Sequence, residues 1–86
     1  MAKDMAGRSA LAFLQAELRL GLTMSRIALQ AHHGAKKERN RINARKAYDA
    51  ILHYLPDSNL SAQEAQEIKT GLSALRSELQ NLGEEF

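Results

Sequence analysis

Apolar residues recur at helical spacing in three stretches, divided by punctuation around Asp4 to Ser9, Gly34, Pro56 to Asn59, and Gly83. The pattern predicts three helices, over residues 9–33, 40–55 and 61–82. In the third, Ala65, Ile68, Leu72, Leu75, Leu79 and Leu82 follow at alternating steps of three and four, which lays one apolar seam along a helix. Ser61-Ala62-Gln63-Glu64 precedes the seam as a capping box. The Ser61 hydroxyl should accept from the Glu64 backbone N–H while the Glu64 carboxylate accepts from that of Ser61. Gly83 stands where a left-handed C-terminal cap belongs.

The second stretch places Ala44, Ala47, Tyr48, Ile51, Tyr54 and Leu55 on one face, and it must stop at Leu55 because proline disfavours the helical conformation in the residue before it. Two starts fit. Asn40 is a good N-cap, whereas a start at Ala35 would put Lys36 and Lys37 at the positive end of the helix dipole. The Asn40 start is preferred, leaving residues 34–39 as a basic connector.

The first helix, closing near His33 with Gly34 as its cap, is abnormal. Only Gln15, Arg19, Thr23, Arg26 and Gln30 define a polar stripe. Phe13, Ala16, Leu20, Met24, Ile27 and Ala31 share one side, and Leu11, Leu14, Leu18, Leu22 and Leu29 lie nearly opposite. A helix apolar over most of its girth expects burial on more than one side, and two partner helices cover only one broad face. The expectation is that Leu11, Leu14, Leu18, Leu22 and Leu29 form a protein interface, most simply of a homodimer in which Gly21 and Ser25 let two copies approach. In the competing reading this helix is simply the most buried element, covered by the connector or the N-terminal residues.

Composition agrees with the periodicity. Among 86 residues there is no Val, with four Ile and two Thr against fourteen Ala and thirteen Leu, a balance that favours helix over strand. One domain over residues 1–86, an all-α antiparallel three-helix bundle, is therefore expected. The absence of Cys removes disulfides and thiolate-bound metal as staples. A single core of this size supplies only about 3–5 kcal/mol, which makes association an economical route to stability. No apolar run approaches eighteen residues and the first residues lack a signal peptide's apolar segment, so a cytoplasmic protein without membrane contact is expected.

The net charge of +2 conceals a division: ten Lys/Arg against four Asp/Glu in residues 1–56, and two against six in residues 57–86. The excess gathers at Lys36, Lys37, Arg39, Arg41, Arg45 and Lys46, which carries a second functional expectation, a nucleic-acid-binding accessory protein using Lys36, Lys37, Arg39, Arg41 and Arg45. Helical geometry puts Lys37, Arg41 and Arg45 on one stripe and the others elsewhere, and the acidic third helix, with Glu64, Glu67 and Glu78, could neutralise them instead. The four aromatics do not form a stacking platform.

Chemical motifs are sparse. His32 and His33 are adjacent, so their side chains point about 100° apart, whereas a zinc pair on a helix favours the i,i+4 spacing. There is no glycine-rich phosphate loop and no cysteine nucleophile. A non-catalytic protein without cofactor or metal is expected, serving as a protein-interaction or assembly module. The series Ala44-x3-Tyr48-x2-Ile51-x4-Pro56 resembles the second-helix half of a tetratricopeptide repeat. The likeness covers residues 44–56 alone, since Ala28, Ala31, His32 and Ala35 stand where the repeat's first half expects larger residues and glycine. It implies a helical-hairpin scaffold.

Overall fold

The computed structural model describes the backbone of residues 2–86 and the side chains of residues 10–86. Three helices, α1 (Ala2–Gln30), α2 (Ala35–Tyr54) and α3 (Ala62–Asn81), form an all-α bundle, with a short 3₁₀ turn at Leu55–Asp57 after α2. The bundle measures 48 × 18 × 17 Å. It runs up, down, up. Phe13 meets Tyr54, and Gly21 faces Ala47, so α2 returns antiparallel to α1. Gly71 lies against Leu18, Leu75 against Gly21, and Glu78 against Ser25, so α3 runs parallel to α1.

The core is one cluster: Leu14 from α1, Ala44, Tyr48 and Ile51 from α2, and Ile68, Leu72, Leu75 and Leu79 from α3. The seam predicted for α3 is thus the core side of that helix. Its N-terminal box forms, with Glu64 N–H donating to Ser61 Oγ at 3.1 Å and Ser61 N–H donating to Glu64 Oε1 at 2.9 Å. At its other end Gly83 takes φ 95°, Gly83 N–H donates to the Gln80 carbonyl (3.0 Å) and Glu84 N–H donates to that of Leu79 (2.9 Å), the paired bonds of a Schellman turn.

Three boundaries differ from expectation. The helix of α1 runs from Ala2 rather than residue 9, so the N-terminal residues extend the helix instead of folding over its leucines. It stops at Gln30, leaving His32 and His33 exposed in the connector rather than in a last helical turn. And α2 begins at Ala35, not Asn40. Gly34, at φ 100°, adopts a conformation that favours glycine and turns the chain within four residues. Asn40 does not cap: its side-chain N–H donates to the Lys36 carbonyl (2.8 Å), one turn back within the helix. Glu38 in the first turn offsets the lysines at the positive end of the dipole.

Candidate interaction surface

Which side of α1 turns inward is decided by its small residues. Taking Leu14 as zero at 100° per residue, Gly21, Ser25 and Ala28 fall within about 40° of it, and Leu11, Leu18, Leu22 and Leu29 at about 40–80°. Leu14, Gly21, Ser25 and Ala28 are all buried inside the single chain. A Cβ on Gly21 would stand 2.7 Å from Leu75 Cδ2 and 3.3 Å from Ala47 Cβ, so α2 and α3 both close on this point. The expectation that Gly21 and Ser25 serve the approach of a second copy is therefore corrected: they serve the approach of the chain's own helices.

The leucine row is corrected with them. Leu14 is core at 0 % exposure, while Leu11, Leu18 and Leu22 pack against the core. Of the five proposed interface residues only Leu29 is exposed. The surplus of apolar surface is real, but it belongs to the other row. Phe13 (41 %) and Leu20 (43 %) are exposed, Ala16 is exposed, and Met24, Ile27 and Ala31 are half-buried. These six lie about 80–160° from Leu14, on the side turned away from α3 and toward one flank of α2. The signal was available in the chain: the small residues Gly21, Ser25 and Ala28 share the leucines' side, and small residues let helices come close there.

Across that face α1 and α2 form a shallow groove. Phe13 and Tyr54 meet edge to face with centroids 5.4 Å apart, and beside them Ala10, Asp57 and Ser58 border a hollow of about 380 Å³. At the far end Ile27 and Ala31 share a hollow of about 470 Å³ with Lys36, Arg39 and Asn40. Lys46, with Arg39, borders the adjoining surface around the exposed Ile42. The two ends differ in charge: Lys36 and Arg39 line the Ile27 hollow and Asp57 borders the Phe13 hollow, while the half-buried Glu17 lies one turn after Phe13 on the side of α1 toward α2. Among the described residues Glu17, Asp57, Lys36 and Lys46 make no ion pair.

The basic segment does not form one surface. Lys36 and Arg39 border the groove. Arg41 and Arg45 lie on the opposite flank of α2 and are taken up by carboxylates. Arg41 pairs with Glu38 and Glu84; Arg45 pairs with Asp49 (3.1 Å) and Glu84 (3.0 Å) and donates to the Glu85 carbonyl (2.9 Å). Phe86 sits against Tyr48, with the Arg45 and Arg76 guanidinium groups over its ring. Neutralisation thus comes from Glu84 after the Gly83 turn and from Glu38 and Asp49 of α2 itself, not from Glu64 and Glu67 of α3. Glu64 is spent on the cap, and Glu78 reaches α1, where the buried Ser25 hydroxyl donates to it and Arg26 lies 3.5 Å away.

Among the described residues no three His, Asp or Glu side chains gather as a metal site, and His53 lies edge-on to Tyr54. No helix there is long and apolar enough to cross a membrane. Comparison with protein-family models, with curated proteins and with solved structures finds no match for this chain.

Proposed function

We propose that this chain is a non-catalytic helical protein-interaction module whose docking surface is the outward row of α1, centred on Leu20, together with the flank of α2 beside it. The observation that supports it most is the exposure of Phe13 and Leu20 on a helix whose other apolar row already fills the core. Large apolar side chains left 41–43 % exposed at helical spacing suit recognition of a helix laid in a groove. Nucleic-acid binding has less behind it, since Arg41 and Arg45, two of its five candidate residues, are already held by Glu84.

A photo-crosslinking amino acid at position 20, in the full chain produced in its own cells, tests the proposal. A discrete protein adduct is expected at position 20 and none at Gln80, which is exposed on α3. The absence of any discrete adduct at position 20 would overturn it.

A further inference from the structure

The groove's charges are arranged so that it complements itself. The ring contact of Phe13 with Tyr54, the approach of Gly21 to Ala47 and the hollows shared by Ala10 with Asp57 and by Ile27 with Asn40 show which residues of α1 and α2 stand at similar heights. Leu20 lies midway between Phe13 and Ile27, fourteen residues and about 21 Å of helix apart. A twofold axis through Leu20, perpendicular to α1 and lying in the plane of the groove, sets Phe13 of one copy opposite Ile27 of the other. The same operation keeps α2 over α2 and carries the cationic end of each groove onto the acidic end of the other. Lys36 then faces the other copy's Asp57. Lys46, close to the axis, faces the other copy's Glu17. The two Lys46 side chains also approach each other there, and the Glu17 carboxylates beside them supply the compensating charge.

Resting on the interaction-module reading above, we infer that the partner of this surface is a second copy of the chain, docked antiparallel about Leu20 with Glu17–Lys46 and Lys36–Asp57 pairs across the interface. These four side chains have no ion-pair partner among the described residues of their own chain. An isologous contact satisfies all of them with one operation. Parallel docking, by contrast, would bring α2 of each copy over the Arg19 and Arg26 flank of the other, cation against cation.

The chain has no cysteine, so single introduced cysteines read this geometry directly. Leu20→Cys should oxidise to a disulfide dimer with its own copy. Phe13→Cys and Ile27→Cys should each stay mostly monomeric alone and cross-link to each other when mixed. Sedimentation at tens of micromolar should show a dimer that Leu20→Glu disperses with its helical circular dichroism intact. Glu17→Lys and Lys46→Glu should each weaken association at least tenfold, and the double exchange should recover most of it. A monomeric wild-type chain, Phe13→Cys dimers forming readily alone, or Leu20→Glu leaving the dimer intact would each overturn the inference. Should Leu20→Glu unfold the chain, the cysteine pairs and the charge exchange still decide. Failure of the inference alone is recognised by position-20 photo-adducts that contain a different protein and none of twice the chain's mass. Failure of the underlying reading gives no adduct at all.

Discussion

Replacing Gly21 by alanine is the sharpest test of how closely the three helices approach. In an exposed helix interior the change would stabilise by about 1 kcal/mol, because alanine loses less backbone entropy than glycine. Here the new methyl would stand 2.7 Å from Leu75 Cδ2 and 3.3 Å from Ala47 Cβ. Leu75 is fully buried and has no route into solvent, and Ala47, at 3 % exposure, can yield only if the α2 backbone moves. Overpacking of that kind costs about 1–3 kcal/mol, so a net loss of up to about 2 kcal/mol is expected. Gly71 is a second close approach. A methyl there would overlap Leu18 Cδ2 and stand 3.1 Å from Leu18 Cγ, an atom that rotation of the side-chain end does not move away, so Gly71→Ala should also cost stability. Urea unfolding followed by circular dichroism should therefore show no stabilisation from either change and a loss of up to about 2 kcal/mol for Gly21→Ala, or up to about 8–16 °C in Tm for a chain of this size. Adding Ala47→Gly removes the unyielding wall, and a double-mutant cycle with Gly21→Ala should show a coupling of at least about 0.5 kcal/mol. The same cycle with Gly71→Ala should be additive. If Gly21→Ala stabilises by the full propensity gain, α1 does not meet α2 and α3 as closely as described.

The two apolar rows of α1 predict opposite sensitivities: Leu14→Ala should cost about 2–5 kcal/mol in chemical denaturation and Leu20→Ala less than about 1, and equal losses would mean that the row assignment is wrong. Ser61→Ala should cost about 1 kcal/mol through loss of the cap, with Ser61→Gly milder, both read from thermal unfolding. Glu84→Gln removes the carboxylate held by both Arg41 and Arg45 and should destabilise by about 1–2 kcal/mol, with faster amide exchange at Gly83 and Glu84; unchanged exchange would show that the tail does not depend on these pairs. A gel shift with single-stranded RNA and duplex DNA should show no retardation at moderate salt, and retardation abolished by Arg41→Glu would revive the nucleic-acid reading.

Sequence reading succeeded wherever the determinant is local. The Ser61 box and the Gly83 turn each depend on three or four neighbouring residues and stand where the chain predicted them, whereas α2 ends at Tyr54, one residue early, and Leu55 keeps a helical conformation as Pro56 enters a 3₁₀ turn. It failed where two local signals compete. Asn40 has the chemistry of an N-cap, but its amide is equally able to donate one turn back, and Gly34 already supplies the turn. On α1 both apolar rows have helical spacing, so periodicity alone does not rank them. The tie is broken by Gly21, Ser25 and Ala28, whose small size matters only once two other helices press on them. The clamp on Arg41 and Arg45 lay beyond sequence reasoning because it joins residues about forty positions apart, through a chain reversal at Gly83.

The hydrogen bond from the buried Ser25 hydroxyl to Glu78 determines more than local order. Leucines repeating every three or four residues make the α1–α3 contact a nearly periodic ladder, and a ladder of that kind loses little when one helix slides by a turn. A slide of one turn would set the Glu78 carboxylate against Leu22 or Leu29, a leucine with no donor to offer, and would carry Gly71 away from Leu18. The carboxylate would forfeit the Ser25 donor, about 1.5–3 kcal/mol for a hydrogen bond to a charged group, with no compensating gain from the leucines. That polar contact, together with the seats of Leu75 on Gly21 and Leu18 on Gly71, selects one register, and with it the heights at which Gly21 and Leu20 stand against the rest of the bundle.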